Sequence, residues 1–362
     1  MCRRCNFVQP DDQFTSKSRN IKDLFRSEKS VAATHSLFYL LDDEALEIIK
    51  EKEYCLIVDE SISVISRLNI AHDDFLVITE QLAEVGKEGR VRWRNPDYRG
   101  TFVGYKELAD ASSLYRLDSS LLHILNPDIL RAFNEVFMLT YLFNGQYQKG
   151  YLDYFGFGYN VIGVQEDEYG YHFSPYPDAP PPIDYGSLIH IVGKPKMNKP
   201  GSEKYSLSKQ WYTRHSYDDP AVKSLRNGLR NFFQDITKSS SDDRIWTCFK
   251  ADRNKLIDKK TGRFRNNFLQ LEARATNDYR NKKYLAYMVN RFIDPNLKKL
   301  FAQKGCIIDD NSFALAEMLQ WIWRSAIRED NPIELYLPSN RMRKLLTDWI
   351  EVSSKGGIGI GS

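Results

Sequence analysis

No apolar stretch in this chain is long enough to cross a bilayer. The longest, Val136 to Phe143, has eight residues and contains Thr140, whereas a spanning helix needs about 20. MCRRCNFVQP at the start has no apolar signal region, so the sequence is expected to act in the cytoplasm, away from membranes. Net charge is also small, +3 over 362 residues, which excludes a binder that works through bulk positive charge. Cysteine is sparse: the five at positions 2, 5, 55, 248 and 306 are scattered and odd in number, as expected of free thiols in a reducing compartment. Cys2 and Cys5 form a C-x-x-C, but no second Cys or His pair stands at the spacing a zinc site needs. No repeat with the period of a solenoid occurs. No G-x-x-x-x-G-K-[ST] phosphate loop occurs anywhere, and the glycines of the terminal SSKGGIGIGS do not make one.

What the chain has is 42% hydrophobic residues and 13% aromatics, enough for real cores. At roughly 150 residues per domain its length suggests two domains. Short apolar runs alternate with helical patterns, which predicts an α/β fold with mainly parallel sheets. Val31 to Ala33 reads as a strand, and Asp42-Asp43-Glu44 opens a helix over Glu44 to Lys52. Cys55 to Val58 and Val136 to Thr140 lack alternation and read as strands buried on both faces. Tyr151 to Tyr185 reads as an antiparallel excursion running into the proline-rich PYPDAPPPIDYG. A second series follows: strands at 188–192, 244–249, 268–271 and 333–336, and helices at 221–236, 282–292, 313–328 and 341–352. The expected divisions are a first domain at 1–165, a linker at 166–185, a second domain at 186–352 and a disordered tail at 353–362.

Several residues could carry chemistry. Asp59-Glu60 puts two carboxylates at the carboxyl end of a buried strand, where α/β sheets bind ligands. Thr34, His35 and Ser36 follow the preceding strand; such hydroxyls bond phosphate or sugar oxygens, or cap a helix. Thr140 ends the next buried strand. Between 313 and 328, Leu315, Met318, Leu319, Ile322 and Ala326 make one apolar stripe, while Gln320, Arg324 and Arg328 recur every fourth residue opposite it. Guanidinium groups in such a row suit a phosphate, and a solvated polar face is the plainer alternative. Arg274 to Lys283 interleaves basic residues with Asn and Tyr, and Lys194, Lys196 and Lys199 form another basic set. Both suit a phosphate backbone or simply a charged loop.

In order, these segments resemble the motif series of superfamily-two helicases of the DEAD/DEAH-like group, in a branch found in phages and mobile elements of Gram-positive bacteria. ATHSLF at 33–38 resembles the motif ahead of Walker B, CLIVDES at 55–61 resembles Walker B, and VFMLTYLFNGQ at 136–146 resembles motif three. RIWTCFK at 244–250 and FLQLEARATNDYRN at 268–281 stand where motifs four and five belong, and LQWIWRSAIR at 319–328 resembles motif six. The resemblance implies two RecA-like domains, the first incomplete, with ATP and Mg²⁺ as cofactors and single-stranded DNA as partner. It implies Asp59 as the magnesium carboxylate, Glu60 as the residue that orients water, and Arg324 and Arg328 as arginine fingers with Gln320 as their partner. It implies Thr34, His35, Ser36, Arg274, Thr276 and Asn277 at the nucleic acid, and Thr140 as the coupling residue. Two departures accompany it: Arg328 falls one position later than the superfamily spacing, and motif three reads LTY. The absent phosphate loop is the largest departure. The expectation is an ATP-dependent DNA helicase or translocase that begins after its own Walker A and is inactive alone. The alternatives are a non-enzymatic single-stranded nucleic-acid binder, or a half that complements a separate Walker A polypeptide.

Overall fold

The computed structural model describes residues 6–11, 16–59, 62–175, 182–272 and 278–356. The chain packs as two compact units. The first comprises Met1–Phe143, Tyr147–Gly158 and Pro295–Ile307; the second comprises Asn144–Gln146, Tyr159–Asp294 and Ile308–Ser362. The Pro295–Ala302 helix therefore sits in the first unit although it lies inside 186–352.

In the first unit, helix α1 (Lys17–Arg26) packs against α2 (Asp43–Glu51). Asp42 caps α2 by accepting from Ala45 N at 3.0 Å, and Asp43 and Glu44 occupy its first turn. That places acidic groups at the positive end of the helix dipole. The inward face of α2 is Ala45, Leu46, Ile48 and Ile49. Strand β1 (Cys55–Asp59) pairs in parallel with β7 (Glu135–Leu139), in a register running from Cys55 opposite Glu135 to Asp59 opposite Leu139. Residues between the two add antiparallel structure. Strands β2 (Ile65–Arg67), β5 (Leu114–Leu117) and β6 (Ser120–Ile124) form a sheet in the order β2-β6-β5, and β3 (Ala83–Val85) pairs with β4 (Val91–Trp93). Ile78, Ala83, Val91, Leu114 and Leu121 close a core under them.

Three expectations for this unit need correction. Strands β1 and β7 are not buried on both faces: Cys55, Ile57, Asp59, Glu135 and Leu139 are exposed. Val31 to Ala33 is no strand: Val31 makes one isolated parallel bridge to Val8, and the chain turns at once into the short His35–Phe38 helix. The antiparallel strands between β1 and β7 were not foreseen, because runs of three to five residues carry too little periodicity to register.

The second unit opens with the hairpin β8 (Ile162–Asp167) and β9 (Gly170–Pro175), the antiparallel excursion expected from the sequence. Its centre is a four-stranded, wholly parallel sheet of β10 (Ile189–Val192), β11 (Arg244–Thr247), β12 (Tyr284–Tyr287) and β13 (Ile333–Tyr336), ordered β10-β13-β12-β11. Helices cover both faces. Tyr336 points to α3 (Pro220–Arg230), where Gly228 leaves room for its hydroxyl; a Cβ there would lie 2.5 Å from that oxygen. Tyr287 points to the other face and meets Trp321 of α4 (Asp310–Ile322) edge-on, with centroids 5.5 Å apart. The last helix, α5 (Asn340–Ser354), is capped by Ser339, which accepts from Met342 N. It reaches Ser354, so positions 353 and 354 are helical and not tail; 357–362 lie outside the described residues.

The helix expected over Lys282 to Phe292 is strand β12. Leu285, Met288 and Phe292 happen to fit a helical period, but Leu285 to Val289 are all fully buried. Burial on every side marks the central strand of a parallel sheet with both faces covered. The strand expected over Phe268 to Leu271 shrinks to one parallel bridge between Phe268 and Trp246.

Candidate functional site

Two clusters hold the residues singled out from the sequence, one in each unit. In the first unit, pairing β1 in parallel with β7 brings two carboxyl ends together. Asp59 is the last residue of β1, and Thr140 follows directly on β7; both are exposed. The loop after β1 is pinned near this end. Tyr39 donates its hydroxyl hydrogen to Ser63 O at 3.2 Å and accepts from Ser63 N at 2.9 Å, while Gln148 Nε2 donates to Ile62 O at 3.1 Å. Tyr39 follows the His35–Phe38 helix, so the Thr34, His35 and Ser36 segment is anchored beside the loop that leaves Asp59. Thr34 occupies the N-cap position of that helix without a side-chain cap bond. Glu60 lies outside the described residues.

Asp59 could supply one carboxylate to a magnesium ion. Among the described residues no group of three or more His, Cys, Asp or Glu side chains could hold a metal. The sequence also lacks the glycine-rich lysine loop whose amides and ammonium hold a triphosphate. Among the described residues no complete ATP–magnesium site is assembled.

In the second unit, the apolar stripe of α4 is buried as expected at Leu315, Met318, Leu319 and Ile322. The polar row is different. The helix ends at Ile322; Ser325 takes an extended conformation and donates its hydroxyl to Ile322 O at 2.7 Å. A 3-10 turn over Ala326–Glu329 follows. Gln320, Arg324 and Arg328 therefore do not share one helix face, because the helical period is broken between the two arginines. Gln320 is exposed on α4, Arg324 is half-buried in the turn, and Arg328 is exposed on the 3-10 turn. This turn does meet the segment after 277: Arg280 pairs with Glu329 at 3.2 Å, and Ala326 N donates to Lys282 O at 3.0 Å. Arg274, Thr276 and Asn277 lie outside the described residues.

A polar clamp that sequence spacing does not reveal stands beyond the carboxyl end of β12. Asn290 is wholly buried, and its Nδ2 donates to Lys204 O at 2.9 Å and Ser206 O at 3.0 Å. Its Oδ1 accepts from Arg341 Nη1 at 3.0 Å, and Arg341 also donates to Arg291 O and Asp310 O. Burial pushes the Arg341 guanidinium down from its ordinary value, against the pull of Asp310 and Asp309. Next to it, Arg291 pairs with Glu317 of α4 at 2.7 Å. Burial opposes the Arg291 charge, but Glu317 together with Tyr287 and Glu272 overcomes it and raises the pKa. The clamp's one trace in the sequence is an apolar run followed by Asn-Arg, and a helical reading of that run conceals it.

An α/β chain whose second unit is a parallel sheet covered by helices on both faces defines the structural class, and comparison with known proteins supplies the family. Residues 184–350 match the family described as the YonV C-terminal Rossmann-like domain. The SPbeta prophage-derived uncharacterized protein YonV of Bacillus subtilis (strain 168) is 37% identical over 331 residues, covering 89% of this chain and 79% of that protein. The chain belongs to the YonV family. No solved structure matches it. Among the described residues no helix is long and apolar enough to cross a membrane, and Cys55, Cys248 and Cys306 are free.

Proposed function

We propose that this chain is a DNA helicase- or translocase-type protein that binds single-stranded nucleic acid and, lacking a phosphate loop, does not hydrolyse ATP by itself. The observation that carries the proposal is the parallel β1–β7 pair, which sets Asp59 opposite Leu139, the residue before Thr140, at one carboxyl end. The motif resemblance gives these two positions, Asp59 and Thr140, the roles of magnesium carboxylate and coupling threonine. In this proposal Asp59 and Glu60 are the metal and water residues. Gln320, Arg324 and Arg328 serve the nucleotide, with Arg328 contributing from the 3-10 turn. Thr34, His35, Ser36, Arg274, Thr276 and Asn277 serve the nucleic acid. The Rossmann-like second unit and the prophage-derived relative agree with a mobile-element role.

A second reading, a half that works with a separate Walker A polypeptide, is favoured by one observation. The two-stranded β1–β7 sheet leaves Ile57 64% and Leu139 55% exposed, whereas parallel sheets are ordinarily covered on both faces. A further strand from another polypeptide would extend the sheet, and the helix following it would cover this face.

The test is equilibrium binding of a fluorescent oligo(dT) to the purified chain, with and without ATP and magnesium. The expected result is binding that weakens steeply as salt rises, because each phosphate contact releases counterions, and that is indifferent to nucleotide. Absence of binding refutes the nucleic-acid role; affinity that changes with ATP refutes the claim that the chain alone lacks a working triphosphate site.

A further inference from the structure

The loop that leaves the edge strand β10 is strongly basic. Between 193 and 209 it carries Lys194, Lys196, Lys199, Lys204 and Lys209 against a single acid, Glu203, and all five lysines are exposed. A chain of net charge +3 thus concentrates positive charge at the carboxyl end of its parallel sheet, where open α/β sheets receive ligands. In the middle of this loop stands Tyr205, 61% exposed. Its ring lies 5.5 Å from that of Phe292, the Lys204 ammonium sits 5.3 Å from its centroid, and the Arg341 guanidinium lies 4.4 Å above Phe292. One edge of Tyr205 is therefore seated on a ring backed by a cation, while most of its surface faces water.

The loop is built to hold that ring in place. Asn290 Nδ2 takes the carbonyls on both sides of Tyr205, those of Lys204 and Ser206, and Asn290 N donates to Leu207 O at 3.0 Å. Leu207 is wholly buried at φ +62°, a left-handed conformation that costs a leucine energy. Earlier in the loop, Gly201 lies so close to Pro338 that a Cβ would stand 2.3 Å from its carbonyl oxygen. A solvated charged loop has no need of a buried asparagine clamp, a strained leucine and a close backbone contact to present one aromatic ring outward. Rigid aromatics flanked by cations bind single strands, since every base has a face to stack and every phosphate a charge to neutralise.

We propose that Tyr205 is a base-stacking platform for single-stranded nucleic acid, with Lys194, Lys196, Lys199 and Lys204 meeting the phosphates. This deepens the proposed function and rests on it for the class of ligand. Asn290 and Arg341 are positioning residues: they hold the platform and do not touch the strand.

The experiment measures fluorescence anisotropy of short oligo(dT) and oligo(U) with the full chain across a salt series. Wild-type protein is expected to bind one or both, the stronger arm showing whether the strand is DNA or RNA. Tyr205→Ala is expected to weaken binding on the order of ten-fold or more at fixed salt, with its urea midpoint unchanged because the ring is mostly exposed. Tyr205→Phe keeps the stacking face and is expected to bind as wild type. Replacing Lys194, Lys196 and Lys199 together with alanine is expected to flatten the plot of log affinity against log salt by about 2, at ~0.7 per lysine. Wild-type binding left unchanged by Tyr205→Ala overturns the platform while the nucleic-acid role stands. Failure of wild type to bind either oligonucleotide overturns both.

Discussion

Trp321→Ala is expected to destabilise the second unit by about 3–5 kcal/mol, the ordinary cost of emptying a large buried site. Trp321 is wholly buried on α4, meets Tyr287 of the central strand edge-on, and directs its Nε1 toward Leu269 O at 3.4 Å. Truncation removes the wedge between the helix and the sheet face and leaves a cavity too enclosed to collapse. The whole net stability of a domain is ordinarily only about 5–15 kcal/mol, so this substitution removes a large fraction. Urea unfolding followed by far-UV circular dichroism reads the effect. Trp321→Phe keeps most of the packing and should lose far less. A loss below about 1 kcal/mol for Trp321→Ala would mean that α4 does not pack on the sheet through this ring.

The Arg291–Glu317 pair gives the next largest effect. The two side chains are only 18% and 26% exposed, and their N–O distance is 2.7 Å. Glu317→Ala leaves the guanidinium in a poorly solvated place with its main partner gone, because Glu272 approaches no closer than 3.9 Å. A cost of about 3 kcal/mol is expected. The double variant Arg291→Met, Glu317→Leu removes both charges and keeps the volume. It should recover most of that loss, since the pair's attraction is largely offset by the cost of drying it. Urea midpoints of the two variants decide: a double variant as unstable as Glu317→Ala would show that packing around the pair, and not an unpaired charge, sets the cost.

How far the sequence could be read depended on the kind of signal each element carries. Asp42-Asp43-Glu44 announced α2 because the capping residue and the first-turn acids act locally. Cys55 to Val58 and Ile333 to Tyr336 were legible as strands because short, bounded apolar runs suit a parallel sheet. The run from Leu285 to Val289 was not, since a fully buried stretch looks alike in a strand and a helix; only the pairing of β12 between β11 and β13 separates the two. The row of Gln320, Arg324 and Arg328 failed at Ser325, whose extended backbone no side-chain periodicity foretells. Asp59 and Thr140 were legible as separate strand ends, but their adjacency comes from the β1–β7 register. The Asn290–Arg341 clamp could not be found at all from spacing, because its members are 51 residues apart and meet only through the tertiary fold.

The proposed function joins residues that resemble helicase motifs to a sequence without a phosphate loop. Steady-state ATP hydrolysis by the purified chain, with magnesium and saturating single-stranded oligonucleotide, measures this directly. The account predicts phosphate release no faster than in buffer, with and without the oligonucleotide. Turnover near the ~10 s⁻¹ of an ordinary enzyme, stimulated by the strand and abolished in Asp59→Ala, would contradict it.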